Sequence, residues 1–193
     1  MLNVKLIEVG PIGTGCYIVW NEESVAAVID PGDEPDRISA LLSSLGLTAG
    51  AILLTHGHFD HVAAVDALSA GIPVYINALD EEMLTDPGKN GSVYFGTPPV
   101  TVLSKPTVFS DGDVVTVGSL SFTVVHTPGH TKGSSVFFID DLVFSGDTIF
   151  AGGYGRTDLY GGSFPELKQS IRRLIPLIEG KTLYPGHGPS AKL

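Results

Sequence analysis

Residues 55–61 read Thr55-His56-Gly57-His58-Phe59-Asp60-His61, directly after the apolar run 51–54. Three histidines and an aspartate within six positions serve no ordinary core or turn. Neutral imidazole and carboxylate are ligands for first-row metals. The run before them is short and fully apolar, as expected of a strand covered on both faces. Ligand sites in layered α/β folds concentrate at the carboxyl ends of such strands. The chain must therefore build a layered sheet whose strand ends meet around a cation site. The cluster also offers more ligands than one tetrahedral ion with an open position can use, so it points to two ions.

The rest of the chain supplies the layers. Residues 4–9, 17–20 and 24–30 are apolar strand-like runs, the first two separated by the turn-rich segment 10–15. A helix is expected next, with Asp33 as N-cap, Ile38, Leu41, Leu42 and Leu45 at i, i+3, i+4, i+7 spacing, and Gly46 past its end. Residues 62–70 and 78–84 read as helices and 74–76 as a strand. Residues 85–106 hold four prolines and a Pro87-Gly88-Lys89-Asn90-Gly91 turn signal, and are expected to form a flap beside the site. Strand-like runs return at 114–117, 120–125, 135–139 and 142–144, followed by a glycine-rich loop over 146–162. Ser163 and Glu166 form a capping box for a helix that Pro176 should kink or shorten, and 181–184 is a last strand. Strands then helix, twice over, predict one domain over 1–193. Its expected class is α/β: a four-layer αββα sandwich, two mixed sheets packed face to face with helices outside.

Other ligand-type residues follow the later strands: His130 in Pro128-Gly129-His130-Thr131, Asp147 in Gly146-Asp147-Thr148, and His187 in Pro185-Gly186-His187-Gly188. Glycine beside each lets backbone approach closely and adopt positive φ. Two ions roughly 3.5–4 Å apart need a bridging oxygen, and the isolated Asp147 suits that role. His56 and His58 share a parity and can serve one ion, with His130 as the third ligand. Asp60, His61 and His187 can serve the other. Asp60, His61 and Asp147 are then the candidate catalytic groups around an attacking, metal-bridging hydroxide. His126 is left as structural. Asp30 has two readings of equal weight: it orients a ligand imidazole, or it makes the turn before Pro31-Gly32.

Composition narrows the partners. A net charge of −10 argues against nucleic acid, whose binding is driven by Lys and Arg. Hydrophobic content of 43% and a mean hydropathy of +0.26 fit a compact fold. The single cysteine, Cys16, excludes an intrachain disulfide and reads as buried filler. No apolar stretch approaches the roughly 18 residues of a membrane span, and the N-terminus lacks the pattern of a signal peptide. A cytoplasmic protein with no membrane partner is expected.

The motif set Thr55-His56-x-His58-x-Asp60-His61, His130, Asp147 and His187 resembles the metallo-β-lactamase superfamily over essentially the whole chain. Within it, Thr127-Pro128-Gly129-His130-Thr131, Gly146-Asp147-Thr148 and Gly155-Arg156-Thr157-Asp158 look like the hydroxyacylglutathione hydrolase, or glyoxalase II, group, and its short bacterial members most. The resemblance implies hydrolysis of a small thioester, S-D-lactoylglutathione. It also implies the ligand division reached above, with two divalent ions: zinc first, iron or manganese admissible. Arg156 sits where the group can place a basic residue for the glutathione carboxylate, with Lys132 a second nearby cation. The competing reading of Arg156 is an ion pair with Asp158. Tyr154 and Tyr160 are candidates for lining the pocket. With the sequence ending at Leu193, soon after His187, the helical glutathione-binding domain of longer members is not expected. The same Gly155-Arg156-Thr157-Asp158 segment also resembles persulfide dioxygenases, oxidoreductases that would hold a single iron with His56, His130 and Asp147.

Overall fold

The structure, a computed structural model, describes residues 1–193. The first half folds as β1 (Asn3–Val9), β2 (Thr14–Trp20), β3 (Val25–Ile29), α1 (Pro35–Ser44), β4 (Thr48–Leu53), α2 (Phe59–Val62), α3 (Val65–Leu68), β5 (Val74–Asn77) and β6 (Thr107–Phe109). The second half follows as β7 (Val114–Val117), β8 (Leu120–His126), β9 (Ser135–Ile139), β10 (Leu142–Gly146), α4 (Phe164–Ile178), β11 (Thr182–Pro185) and β12 (Ala191–Lys192).

Each half makes one mixed sheet, in the orders β1-β2-β3-β4-β5-β6 and β12-β11-β10-β9-β8-β7. The first is antiparallel from β1 to β3 and parallel from β3 to β6. The second is antiparallel except where β10 and β11 run parallel. Side chains alternate across each strand, so one strand feeds two cores. In β2, Tyr17 and Val19 face the inter-sheet core, which also holds Leu53, Phe122, Phe137 and Phe144. Cys16 and Ile18 face the other way, into a core closed by Ile38 and Leu42 of α1 and Val65 of α3. On the far side, Leu174 and Ile178 of α4 cover Val136, Val143 and Leu183. The layers are therefore helix, sheet, sheet, helix, as expected from the sequence. Cys16 is fully buried, and burial pushes its thiol far above the ordinary range, as inert packing requires.

Several local expectations need correction. Helix α1 is capped by Glu34 in the left-handed region (φ 52°), not by Asp33; Asp33 Oδ1 instead accepts from the Glu34 amide at 2.7 Å. Pro35 at the first helical position fixes the start one residue later than a capping aspartate would. Residues 62–70 are not one helix. They split between α2 and α3, because α2 starts early to place Asp60 and His61. Only a 3-10 turn, Glu81–Met83, forms within 78–84. Helix α4 runs two residues past Pro176, which sits in its last turn. The strands β6 and β12, three and two residues long, carry too little pattern to be read in advance.

Candidate metal centre

The parallel segments of both sheets, with β8, end at the same edge of the sandwich, and the loops leaving those ends hold every ligand-type residue singled out above. His56, His58, Asp60 and His61 follow β4, His130 follows β8, Asp147 follows β10 and His187 follows β11. They form two groups whose donor atoms lie within 4.8 Å of one another: His56, His58 and His130, and Asp60, His61 and His187. His56, His61 and Asp147 form a third, overlapping group, so Asp147 lies between the first two. Its Oδ1 is 3.5 Å from His61 Nε2, and its Oδ2 is 3.5 Å from His130 Nε2 and 3.6 Å from His187 Nε2. Asp60 Oδ2 lies 3.3 Å from both His61 Nε2 and His187 Nε2 and accepts a bond from Thr14 Oγ1 at 2.8 Å.

The hydrogen bonds behind the imidazoles fix which ring nitrogen points inward. Asp30, buried at the end of β3 with φ 51°, accepts from the Thr55 amide at 2.8 Å and from Thr55 Oγ1 at 2.7 Å. Thr55 Oγ1 has one proton and spends it on Asp30, so it accepts from His56 Nδ1–H at 3.0 Å. His56 Nε2 then carries a lone pair. His130 Nδ1–H donates to the Arg156 carbonyl at 2.7 Å, which leaves His130 Nε2 unprotonated as well. These two bare nitrogens face each other at 3.2 Å, and His58 Nδ1 stands 2.9 Å from His130 Nε2. Converging lone pairs repel unless a cation lies among them. His61 Nδ1 donates to Asp30 Oδ2 at 3.0 Å, so Asp30 orients an imidazole while also ending its strand.

Buried polar atoms without partners mark the same place: His58 Nε2, His61 Nε2 and Asp147 Oδ1 make no hydrogen bond. Native proteins rarely leave such atoms orphaned without a functional reason. The donor set is imidazole and carboxylate, with Asp30, Asp60 and Asp147 supplying negative charge, and it fits divalent metal ions. Glycines make room for it. A Cβ on Gly186 would come within 2.1 Å of Asp147 Oδ1, and one on Gly155 within 2.8 Å of His130 Nδ1.

Electrostatics divide the two groups. Burial, reinforced by neighbouring imidazoles, holds His56 and His58 well below the usual imidazole range, so both are neutral and ready to ligate. Burial acts the same way on His61, but Asp60, Asp30 and Asp147 outweigh it and push that imidazole well above its usual range. Without metal, His61 therefore keeps a proton on the nitrogen that faces Asp60 and Asp147. An ion entering the second group must displace it, so affinity there should rise with pH, about tenfold per unit, until the pH passes the raised pKa. The His56/His58 pair asks for no such proton release. Burial also opposes charge on the half-buried His187, but Asp60 and Asp147 outweigh it and push that imidazole up. Metal titrations by calorimetry in buffers of different ionisation enthalpy, from pH 6 to 8.5, should therefore show about one to two protons released with the second ion. Equal pH dependence for both ions would contradict the division.

A cavity of about 250 Å³ opens over the centre, with apolar walls from Ile12, Phe59, Phe95, Phe150 and Leu159. The 85–106 segment borders it through Asn90 and Phe95. Asn90 anchors that segment: its carbonyl accepts from the Phe59 amide at 3.0 Å and its side chain donates to the Val100 carbonyl at 2.9 Å. Arg156 lines the cavity and is held in a two-point ion pair with Asp158 at 2.7 and 2.8 Å. The ion pair with Asp158 is therefore formed, and Arg156 also faces the cavity. The structure places Lys132 and Tyr154 off the cavity. The Lys132 ammonium lies 5.1 Å over the Tyr160 ring, and Tyr154, 53% exposed, packs on Phe164 at 5.9 Å. His126 clamps its own loop through Nε2 to the Lys132 carbonyl at 2.8 Å.

One residue of the site carries no signal in the sequence. Asp80, fully buried, accepts from the Gly57 amide (3.1 Å), Thr131 Oγ1 (2.6 Å) and the Gly133 amide (2.7 Å). It ties the His56–His58 loop to the His130 loop. In the sequence it falls within 78–84, read as a short helix, beside Glu81 and Glu82.

The metallo-β-lactamase superfamily model matches residues 9–187. Among curated proteins, a probable metallo-hydrolase YqgX of Bacillus subtilis is 37% identical, the match covering 96% of this chain and 90% of that protein. The hydroxyacylglutathione hydrolase GloC of Haemophilus influenzae is 33% identical, covering 97% and 91%. Among solved structures, the BLEG-1 B3 metallo-β-lactamase superposes with a TM-score of 0.94 at 38% identity, covering 98% of this chain and 94% of that one. TTHA1623 in a di-iron-bound form gives 0.85 at 36%, covering 97% and 94%. ETHE1 from Myxococcus xanthus gives 0.78 at 29%, covering 98% and 79%. No helix is long and apolar enough to cross a membrane.

Proposed function

The chain belongs to the metallo-β-lactamase superfamily, whose members are metal-dependent hydrolases, and from that premise we propose that it is a dinuclear thioesterase acting on S-D-lactoylglutathione or a close relative. One observation carries the reading: two complete donor triplets with Asp147 between them, its Oδ2 within 3.6 Å of both His130 and His187 and its Oδ1 3.5 Å from His61. His56, His58 and His130 would hold one ion and Asp60, His61 and His187 the other, with Asp147 placed to serve both. When bound, two divalent ions supply activated water at neutral pH and polarise a carbonyl, zinc being the first candidate and iron, as in the neighbour described above, the second.

The chain's own groups do the rest. Thr55 and the Arg156 carbonyl lock His56 and His130 in their ligating tautomers and Asp30 orients His61, so these rings need no reorientation on binding. The apolar walls limit water around the acyl carbon. A thiolate leaves without protonation, which suits a cavity whose polar groups are all in the donor set save Asn90 and Arg156. The relative named as a hydroxyacylglutathione hydrolase supports the substrate class. Steady-state hydrolysis of S-D-lactoylglutathione by protein of measured metal content is the test. No turnover with both ions bound would refute the reading.

Arg156 is the group we assign to the remote carboxylate of the thiol carrier. Its pair with Asp158 is exposed and contributes little to stability, so the guanidinium can exchange partners at small cost. Arg156→Ala should raise KM roughly three- to tenfold and leave kcat near the parent value. A variant with unchanged KM would remove Arg156 from binding.

A second reading is a mononuclear-iron persulfide dioxygenase that uses His56, His130 and Asp147. The 3.2 Å approach of His56 Nε2 and His130 Nε2, with Asp147 3.5 Å from the latter, provides that set too. Metal analysis with oxygen uptake on glutathione persulfide separates the two.

A further inference from the structure

Beside the metal centre lies a second, larger cleft of about 390 Å³. It runs between the β1–β2 loop and the Thr97–Val100 segment, walled by Val9, Pro11, Ile12, Phe59, Pro98 and Val100. Ile12, Phe59 and Asp60 line both this cleft and the cavity over the donor groups, so the two spaces share a wall at the Asp60 side. Arg156 and Leu159 lie on the other cavity's lining and not on this one. Its only charged lining groups are the carboxylates of Asp33 and Asp60, and Thr14, which bonds Asp60, is its other side-chain polar group besides Thr97. Such a wall rejects an anion and accepts hydrocarbon. The close approach is built in: a Cβ on Gly32 would lie 1.6 Å from the Asp60 carbonyl oxygen.

We propose that this cleft is an acyl-chain subsite, and that the preferred substrates are thioesters of unbranched apolar acyl groups of about four to six carbons rather than lactoyl alone. The inference rests on the thioesterase reading and deepens it. With the thiol carrier directed to Arg156, the acyl group leaves the centre on the opposite side, past Ile12 and Phe59. The anionic carrier is kept out of the cleft by Asp33, the charged lining group outside the donor set.

The test compares acetyl-, butanoyl- and hexanoyl-glutathione with S-D-lactoylglutathione on the metal-loaded protein. Each fully buried methylene is worth about fourfold, so kcat/KM should rise at least about tenfold from acetyl to hexanoyl. Pro98 is exposed and outside the metal centre; Pro98→Asp places a charge in the cleft and should abolish that rise while acetyl turnover stays within about twofold. In a second measurement, S-hexylglutathione added to the protein should shift the amide resonances of Val9, Ile12 and Val100. Hydrolysis of acetyl and lactoyl thioesters with a flat or falling chain-length profile would overturn the subsite and leave the thioesterase standing. A rise that survives Pro98→Asp, or resonance shifts confined to Arg156 and Leu159, would also overturn it. Absence of turnover with every thioester would remove the thioesterase reading, and the subsite with it.

Discussion

Asp147→Ala should fold normally, bind at most one ion per chain, and lose roughly 10³-fold or more in kcat/KM. The fold survives because the Asp147 side chain makes no hydrogen bond; its contacts are the imidazoles of His61, His130 and His187 at 3.5 to 3.6 Å. The ions do not, because this carboxylate alone faces both donor triplets. Losing several kcal/mol of charge stabilisation in the transition state corresponds to three or four orders of magnitude in rate. Metal content by mass spectrometry on the purified variant, with far-UV circular dichroism as the control for folding, provides the measurement. Two ions bound at parent affinity would show that Asp147 bridges nothing. His187→Ala sharpens the assignment. It should lose the second ion and about 10²-fold or more in thioester hydrolysis, whereas an oxygenase using His56, His130 and Asp147 would keep its activity.

The parts of this centre visible in the sequence are those whose spacing is local. His56, His58, Asp60 and His61 lie within six positions, and their chemistry is out of place in a core or a turn. His130, Asp147 and His187 each stand next to glycine at a strand end, and the structure shows why: a Cβ on Gly129 would lie 2.1 Å from the Leu167 amide nitrogen, one on Gly146 2.3 Å from Thr55 Oγ1, and one on Gly186 2.1 Å from Asp147 Oδ1. The layers were legible because strand alternation and helical periodicity are local as well. Asp80 was not. Its partners are 23, 51 and 53 residues away, and its neighbours Glu81 and Glu82 are exposed. Asp30 was half legible. Its strand-end position was clear, but whether it turns the chain or holds an imidazole depends on Thr55 and His61, 25 and 31 residues on. Short elements fared worst. Glu34 in the left-handed region and the brief strands β6 and β12 are set by tertiary neighbours rather than by propensity.

Replacing Asp30 tests whether the hydrogen bonds behind the imidazoles control the metals. Asp30→Ala removes one buried acceptor from three donors: the Thr55 amide, Thr55 Oγ1 and His61 Nδ1. Breaking such a buried network costs about 3–5 kcal/mol, and at this chain length that is a fall of roughly 10 °C in melting temperature. The backbone φ of 51° adds to the cost, since alanine tolerates that region less well than aspartate. Asp30→Asn is the more telling variant, because asparagine keeps the volume and accepts the left-handed backbone. Its Oδ1 can still accept from the Thr55 amide, but an NH₂ replaces the oxygen that faced Thr55 Oγ1 and His61 Nδ1. Thr55 Oγ1 then accepts from that NH₂ and turns its own proton toward His56 Nδ1. His61 Nδ1 becomes an acceptor in the same way. Both imidazoles are driven to carry their proton on Nε2, the atom that must bind metal. The variant should therefore melt within a few degrees of the parent, yet bind both ions about 10- to 100-fold more weakly. NMR of ¹⁵N-labelled histidine side chains would report the tautomers directly. Parent-like metal affinity with His56 and His61 still protonated at Nδ1 would mean that the rings are positioned by packing alone, and that Asp30 serves the turn at Pro31-Gly32 and nothing more.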